Sequence, residues 1–225
     1  MRGLFITFEG TEGSGKSTQI GVLAERLRKM GLTVRTMREP GGTPIGEEIR
    51  HTLQHSDSNA AMTPEAELLL LNASRAQLVR EIIRPALAAG EIILCDRFYD
   101  STTVYQGYGR GLNLKWVRQI VDFAVGTTQP DLTLLFAIPL PVSEERRRTR
   151  RGFENAGPNA KSMRRDRMEE ADRDFFARVE QGYRALAKSE PDRIRSIDAT
   201  QSAAAVSAEV WRVVEPRLKK RAASR

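Results

Sequence analysis

Cysteine and histidine are scarce in this 225-residue chain, and their scarcity argues against two kinds of site. The single cysteine, Cys95, cannot form an internal disulfide, and the apolar residues 92–94 before it predict a buried thiol in a reducing compartment. The two histidines, His51 and His55, lie four residues apart on a predicted helix, without a third ligand at a recognisable spacing. We therefore expect neither a disulfide framework nor a histidine-bound metal centre.

Long hydrophobic runs are also missing from the sequence. No apolar stretch approaches the roughly 20 residues that cross a bilayer, and the first residues, MRGLFITFEG, lead into a strand pattern without a signal peptide. Apolar residues make up 40% of the chain and charged residues 29%, as in an ordinary globular protein. These features predict one domain spanning residues 1–225, a cytoplasmic location and no membrane partner.

The formal net charge of +7 is unevenly distributed, and its placement bears on the choice of ligand. Residues 146–167 hold nine Lys or Arg against Glu154 and Asp166, whereas the basic C-terminal RLKKRAASR resembles a solvated helix end. Neither a zinc-ligand spacing nor an RNA-binding aromatic signature accompanies this charge. We therefore expect a small phosphorylated substrate and no nucleic acid.

Strand-like and helix-like segments alternate along the chain. Short β-branched or apolar runs predict strands at 3–9, 33–38, 91–96, 131–138 and 193–198. Between and after them, helices are predicted at 16–30, 44–55, 64–88 with a break near Pro85, 114–126, 141–151, 166–188 and 202–220. The alternation predicts an α/β fold, a largely parallel sheet with helices on both faces and ligands beyond the carboxyl ends of its strands.

The segment FEGTEGSGKSTQ, residues 8–19, carries the most specific motif of the sequence. Gly10, Gly15, Lys16 and Ser17 satisfy G-x-x-x-x-G-K-[ST], in which backbone N–H groups cradle phosphate, the lysine reaches the β/γ-phosphates and the hydroxyl ligates Mg²⁺. The motif lies between a predicted strand and a predicted helix, as a phosphate loop requires. The predicted ATP-binding loop residues are Gly10, Thr11, Glu12, Gly13, Ser14, Gly15, Lys16, Ser17 and Thr18.

Two more charged segments follow predicted strands. Asp96 and Arg97 come at the end of the strand at 91–96, where an acid can hold Mg²⁺ through water and a guanidinium can bind a second anion. Arg38, in REPGG, follows the strand at 33–38 and either faces the ligand or belongs to a turn.

With these segments in place, the sequence resembles the bacterial thymidylate kinases from end to end. The resemblance rests on FEGTEGSGKSTQ, REPGG, SRAQ around Arg75, DRFYDST, VYQGYGRG, PDLTLL, DRME at 166–169 and IDAT at 197–200, in this order. It implies the P-loop nucleoside monophosphate kinase fold with a five-stranded parallel sheet, a homodimer packed through helices, a requirement for Mg²⁺ and a mobile lid at about 147–168. The activity it implies is transfer of the γ-phosphate of ATP to dTMP, giving dTDP for dTTP biosynthesis.

The resemblance also implies roles for individual residues. Glu9 would lie near the acceptor phosphate and its metal, Arg97 would bind the dTMP phosphate, and Arg75 would contact thymine. Tyr105 would pack under the deoxyribose and leave little space for a 2′-hydroxyl. The substrate-binding residues so implied are Glu9, Arg38, Leu71, Arg75, Arg97, Ser101, Thr102, Tyr105, Gln106 and Glu169, and the metal-site residues are Ser17, Asp96 and Glu9.

The sequence departs from the family pattern at three positions. Leu71 replaces a phenylalanine that usually stacks on thymine, Ala137 replaces an aspartate near the end of the fourth strand, and Glu12 replaces an arginine common in the phosphate loop. Because the loop lacks that arginine, we expect the positive charge at the transferring phosphate to come from the lid helix. Arg151 is the preferred catalytic candidate there, with Arg147 second, beside Lys16, Arg97 and Glu9.

Two alternatives share the phosphate loop. Another deoxynucleotide or deoxynucleoside kinase could carry the same strand-end Asp-Arg pair, and a nucleoside kinase would need a carboxylate base such as Glu9. A P-loop ATPase or switch would hydrolyse ATP without a small acceptor.

Overall fold

A computed structural model of the chain describes residues 2–155 and 173–223, with the backbone alone at 57, 58, 150–155, 222 and 223. Its described strands are β1 (Leu4–Glu9), β2 (Val34–Arg38), β3 (Ile92–Asp96), β4 (Leu132–Ala137) and β5 (Ile194–Asp198). They pair in the order β2-β3-β1-β4-β5, and every pairing is parallel. The predicted sheet is confirmed, and each strand bound differs from its prediction by at most one residue.

The central strand β1 shows why the sheet needs helices on both faces. All six of its residues are buried, and side chains alternate between the two faces because successive Cβ atoms of a strand point in opposite directions. Leu4, Ile6 and Phe8 pack in the apolar cluster that includes Ile20 on the first helix. Phe5 packs in a second cluster on the other face. A strand buried on both sides reads as a nearly continuous apolar run.

The helices that cover the sheet follow the alternation predicted from the sequence. They are α1 (Lys16–Lys29), α2 (Pro44–Gln54), α3 (Pro64–Leu78), α4 (Arg84–Ala88), α5 (Tyr99–Thr102), α6 (Leu114–Val125), α7 (Leu140–Asn155), α8 (Arg173–Ser189) and α9 (Ala203–Ala223). No helix in the described ranges is both long and apolar enough to cross a membrane.

Two helical predictions need correction, and one helical stretch was not predicted. The helix predicted at 64–88 with a break near Pro85 becomes π-helical at Val79–Ile83 and continues as α4, so the irregularity lies before the proline. Pro85 lies in the first turn of α4, where a helix needs no backbone N–H. The sequence did not predict the helical stretch formed by α5 and the π-helical segment Thr103–Gly109. The lid helix continues to Asn155 rather than ending at 151, and residues 156–168 of the predicted lid lie outside the described residues.

The parallel topology brings three strand ends to one edge of the sheet. Phe8 of β1 and Arg38 of β2 are both in register with Asp96 of β3. The residues that follow these strands therefore meet at the carboxyl edge, where ligands of open α/β sheets bind.

Candidate active site

The loop between β1 and α1 has the backbone that a phosphate-binding motif requires. Gly10 has φ 134°, and a Cβ built there would lie 2.5 Å from the carbonyl oxygen of Phe136, so no other residue fits without displacing β4. Gly15, at the N-cap of α1, is left-handed with φ 86° and turns the chain into the helix. The N-terminus of α1 therefore points its first N–H groups into the loop.

Lys16 folds back into this loop instead of extending into solvent. Its Nζ donates hydrogen bonds to the carbonyl oxygens of Gly10 at 3.1 Å and Thr11 at 2.9 Å, and to Ser14 Oγ at 3.4 Å. Burial, followed by repulsion from Arg97, lowers the pKa of Lys16 from 10.5 to about 7. A phosphate group bound in the loop would raise this pKa again and favour the protonated lysine.

Ser17 and Asp96, predicted as metal-site residues, are in contact. Ser17 Oγ donates a hydrogen bond to Asp96 Oδ2 at 3.0 Å, which joins the first turn of α1 to the end of β3. A hydroxyl and a carboxylate oxygen are hard ligands of the kind Mg²⁺ takes when phosphates and waters complete its coordination. The described residues contain no group of three or more His, Cys, Asp or Glu side chains that could hold a metal without such help.

Arg97 occupies a strained turn directly after β3. Its φ of 67° lies in the left-handed region, a conformation that costs a non-glycine residue about 1–3 kcal/mol. Within the described part of the chain, Arg97 is the one residue other than glycine with a positive φ. The turn is fixed because Arg97 N–H donates to the Phe8 carbonyl at 3.0 Å and the Cys95 thiol donates to the Arg97 carbonyl at 3.0 Å. Its guanidinium carbon lies 5.1 Å from the centre of the Tyr105 ring. This conformation directs the guanidinium over the sheet edge.

Glu9 is the buried carboxylate around which these groups assemble. Its Oε1 accepts from Phe98 N–H at 2.8 Å, and its Oε2 accepts from the hydroxyls of Ser101 at 2.5 Å and Tyr183 at 3.0 Å. Burial and the nearby Asp100 raise the pKa of Glu9 from 4.5 to about 7, against the lowering effects of Arg97 and these hydrogen bonds. We call Glu9, Arg97, Ser101 and Tyr183 the Glu9 cluster.

A buried ion pair lies beside the Glu9 cluster. Arg193 donates to Asp100 through two nitrogens, at 2.7 and 2.8 Å, and to Thr133 Oγ1 at 2.7 Å. The gap lined by Glu9, Asp100, Thr133 and neighbouring apolar side chains has no room for a water molecule. Protein groups alone therefore compensate the negative charge of Asp100.

Arg75 is one of the most completely buried side chains, with 2% of its surface exposed. Its Nε donates to Glu39 at 2.8 Å, one terminal nitrogen donates to Asn72 at 2.8 Å, and the other donates to Thr102 Oγ1 at 2.9 Å. The structure thus brings together Arg75 and Thr102, both predicted as substrate-binding residues. Glu39 holds the guanidinium in place, and burial raises the pKa of that carboxyl despite the arginine.

Four further residues predicted on the acceptor side differ in burial and in partners. Tyr105 is buried with its ring edge against Phe175, and Gln106 donates to Glu67 at 2.8 Å. Leu71 is half-buried on α3, one turn before Arg75. Arg38 is half-exposed and pairs with Glu47 through two nitrogens, each at 3.0 Å.

The start of α7 is attached to the phosphate loop. Ser143 Oγ donates to the Glu12 carbonyl at 2.7 Å, and Arg146 donates to the carbonyls of Gly13 at 3.4 Å and Ala199 at 2.8 Å. The guanidinium of Arg147 lies 5.1 Å from the centre of the Phe176 ring on α8. Arg146, which the sequence did not single out, therefore contacts the loop.

Of the other residues predicted in or near the lid, the structure describes side-chain contacts for Arg148 but describes no side chain for Arg151 or Glu169. Arg148 pairs with Glu145 at 2.6 Å, as helical spacing predicts for a solvated face. Arg151 lies on α7, where only its backbone is described, and Glu169 lies outside the described residues.

Sequence reasoning missed three groups at this site: Tyr183, the Asp100–Arg193 pair and Glu39. Tyr183 lies 174 positions from Glu9 and shares a helix face with Phe175 and Val179, so its spacing indicates apolar packing. Glu39 could have been suspected because an acid between Arg38 and Pro40 immediately follows a strand.

Comparison with known proteins agrees with this geometry. The family model described as thymidylate kinase matches residues 8–210. A thymidylate kinase of a Synechococcus strain is 47% identical over 215 residues, covering 96% of both chains, and that of Deinococcus radiodurans is 45% identical over 216 residues, covering 96% of this chain and 98% of its own. The crystal structure of thymidylate kinase from Ehrlichia chaffeensis superposes with a TM-score of 0.73 at 32% identity, over 95% of this chain and 99% of that one. The chain belongs to the thymidylate kinase family.

Proposed function

We propose that this protein transfers the γ-phosphoryl group of ATP to dTMP by in-line displacement with Mg²⁺, forming dTDP for dTTP biosynthesis. The observation that carries the proposal is the convergence of two cationic sites at one sheet edge. Lys16 lies in the phosphate loop after β1, and Arg97 lies at the end of the neighbouring β3. Two cations at adjacent strand ends suit two anionic substrates that must meet in line.

The donor side is the loop of residues 10–18 together with the first turn of α1. Backbone N–H groups and Lys16 hold the ATP phosphates, and Ser17 with Asp96 holds Mg²⁺, with Glu9 close to the same metal. Mg²⁺ supplies charge neutralisation on the transferring group when bound. Arg147 and Arg151 are assigned to the ATP side because the loop carries Glu12 where an arginine is common in the family.

The acceptor side is the Glu9 cluster with the buried Arg75 network. Arg97 binds the dTMP phosphate, Arg75 and Thr102 meet the base edge, and Tyr105 lies under the sugar. The wider acceptor set adds Arg38, Leu71, Ser101, Gln106 and Glu169.

The chemistry needs little covalent assistance from this chain. A phosphate monoanion or dianion is itself the nucleophile, so the main barrier is repulsion between two anions, which Lys16, Arg97 and a lid arginine offset. Arg151 is our preferred residue for the lid contribution. We treat residues 1–225 as one catalytic domain with a lid at about 147–168, acting in the cytoplasm.

An acceptor panel tests the reaction. The chain is assayed with ATP and either dTMP, dUMP, dCMP or thymidine, and we expect dTMP to give the highest kcat/KM. A deoxynucleoside kinase is the second candidate, because the pKa of Glu9 near 7 would suit a general base acting on a hydroxyl. Preference for thymidine would favour that candidate, and ATP hydrolysis with none of the four acceptors would favour an ATPase or switch.

A substitution at Arg97 tests the assignment of the acceptor phosphate site. Arg97→Ala should raise KM for dTMP at least tenfold, because a charge-assisted hydrogen bond contributes about 1.5–3 kcal/mol, while KM for ATP changes much less. Arg148→Ala is the matched control, since Arg148 is exposed and pairs with Glu145 on the solvated face of α7. Equal increases in both KM values for Arg97→Ala would contradict the assignment.

A homodimer is proposed from one exposed apolar face. Trp116 and Phe123, seven residues apart on α6, are 67% and 83% exposed, and Leu69 on the adjacent α3 is 57% exposed. Apolar side chains at this spacing form one stripe along a helix, and exposed apolar stripes mark interfaces. Light scattering after gel filtration should give a dimer for the unaltered chain and a monomer for Phe123→Asp; a monomeric unaltered chain would refute the dimer.

A further inference from the structure

The hydroxyl of Tyr183 lies between the two opposite charges of the Glu9 cluster. It is 3.0 Å from Glu9 Oε2, 3.1 Å from Ser101 Oγ and 3.5 Å from Arg97 Nη1. Ser101 occupies the equivalent position, since its Oγ donates to Glu9 at 2.5 Å and accepts from Arg97 Nη1 at 3.0 Å. Among the ion pairs of the described residues, none joins Glu9 directly to Arg97. The two hydroxyls therefore connect the carboxylate to the guanidinium.

The number of hydrogens on each group determines which group donates and which accepts in these hydrogen bonds. Each hydroxyl has one hydrogen, and both hydrogens are used on Glu9 Oε2. Arg97 has only hydrogens to give, so its Nη1 donates to the lone pairs of both hydroxyls. Burial and the neighbouring Glu9 raise the pKa of Tyr183 well above its usual value of 10, which keeps the phenol protonated as this arrangement requires.

This arrangement leaves part of the guanidinium for a ligand. The hydrogen bonds that the structure gives the Arg97 side chain, within the described residues, all involve Nη1. An arginine binds a phosphate most specifically through two parallel N–H donors. Because the guanidinium is planar and rigid, fixing Nη1 also fixes the directions of the N–H groups on Nη2 and Nε, which can then bind the phosphate. The Tyr105 ring also packs against this guanidinium, whose carbon lies 5.1 Å from the ring centre.

We propose that Tyr183 is a positioning residue for the acceptor site, which holds Arg97 against Glu9 so that the guanidinium presents its remaining donors to the dTMP phosphate. The inference rests on the proposed function and extends it to α8, a helix that the sequence indicates only as apolar packing. Its hydroxyl and its ring have separable roles. The ring packs edge-on against Tyr105, with centroids 6.3 Å apart, and phenylalanine would keep that contact.

The experiment compares Tyr183→Phe with the unaltered chain in steady-state assays with ATP and dTMP. We expect KM for dTMP to rise about tenfold, because a hydrogen bond to a charged group is lost, while KM for ATP stays within about twofold. Tyr108→Phe is the matched control, because the Tyr108 ring faces Gly182 beside Tyr183 on the same helix. It removes a phenolic hydroxyl outside the Glu9 cluster and should leave both KM values unchanged.

A double-mutant cycle distinguishes positioning from packing. In an Arg97→Ala background, Tyr183→Phe should change KM for dTMP by less than about twofold, because the group it positions is gone. A tenfold rise that persists in that background would overturn the inference, as would an unchanged KM for dTMP in Tyr183→Phe with only a lower melting temperature. If the unaltered chain fails to phosphorylate dTMP, the proposed function and this inference both fail; if it succeeds and Tyr183→Phe matches it, the inference alone fails.

Discussion

Replacing Glu9 with glutamine should reduce the pH dependence of stability, because burial raises the pKa of this carboxyl group. Glu9 is completely buried, and its pKa is raised from 4.5 to about 7 by burial and by Asp100. Between these two pH values the folded chain keeps a proton on Glu9 that the unfolded chain has released. The free energy of unfolding must therefore fall as pH rises from about 4.5 to about 7.

The magnitude follows from the size of the pKa shift. A rise from 4.5 to about 7 corresponds to a loss of up to about 3 kcal/mol across that window. For a chain of 225 residues, each 1 kcal/mol corresponds to about 2–4 °C in melting temperature. The part of the loss that falls between about pH 4.5 and 6.5 is about 2 kcal/mol, so the expected decrease over that range is about 4–8 °C. The charged or titratable groups that face Glu9 from the packed elements are Asp100, Arg97, Lys16, Cys95 and Tyr183. Of these, Lys16 has its pKa lowered to about 7 and contributes at higher pH, so measurements should stop near pH 6.5.

Thermal melting of the ligand-free chain between about pH 4.5 and 6.5 measures this effect. Glu9→Gln cannot ionise, and the Ser101 and Tyr183 hydroxyls can rotate to accept from its amide, so its melting temperature should vary less with pH. Glu25→Gln is the control: Glu25 is exposed on α1, and its hydrogen bond from Lys29 lowers its pKa. Parallel curves for the unaltered chain and Glu9→Gln would refute the reasoning. Activity is a poorer readout, because the second pKa of a phosphate monoester, near 6, lies in the same range.

Other substitutions test the buried ion pair and the phosphate loop. Arg193→Met should lower the free energy of unfolding in urea by about 3–5 kcal/mol, because it leaves Asp100 buried without its charged partner, and adding Asp100→Asn should recover part of the loss; a cost below about 1 kcal/mol would contradict this. Gly10→Ala should weaken ATP binding measured by calorimetry at least tenfold, because its Cβ would meet the Phe136 carbonyl at 2.5 Å. Gly21→Ala is the same change on α1 with nothing within 4 Å, and it should instead stabilise the chain by up to about 1 kcal/mol without affecting ATP binding.

The sheet and the phosphate loop could be predicted from the sequence because both have local signals. A strand buried on two faces is a short apolar run, as LFITFE is, and the loop motif requires glycine where the backbone is left-handed. The π-helical segment at Val79–Ile83 has no such signal, since its residues suit an ordinary helix. A break was predicted near Pro85 because proline disrupts helix interiors. In the structure the π-helical segment precedes Pro85, so the proline lies in the first turn of α4, where its missing N–H costs no hydrogen bond.

The candidate site was predictable where residues follow strands and unpredictable where they come from distant helices. Asp96 and Arg97 follow β3, so parallel topology places them beside the phosphate loop. Tyr183 and Arg193 reach the same place from the other end of the chain, 174 residues from Glu9 and 93 residues from Asp100 respectively. In the sequence, Tyr183 fits the apolar face of a helix and Arg193 fits a turn. A hydrogen bond between residues so far apart produces no pattern that a single sequence can show.

The acidic residues beside the phosphate loop can be explained by the two cationic residues that lie next to them. Lys16 is buried and Arg97 is half-buried at one sheet edge, and burial together with repulsion from Arg97 lowers the pKa of the lysine. Asp96, Glu9 and Glu12 each raise that pKa, so they help to keep the lysine protonated before any phosphate arrives. An incoming phosphate would raise the pKa of the lysine further and favour its protonated form. It also raises the pKa of Glu9, which lies near 7 and can therefore take up a proton. Near pH 7 the Glu9 carboxyl is only partly ionised in the empty site and would take up a further proton as anions arrive, so it adds little repulsion against a polyanion at the same edge.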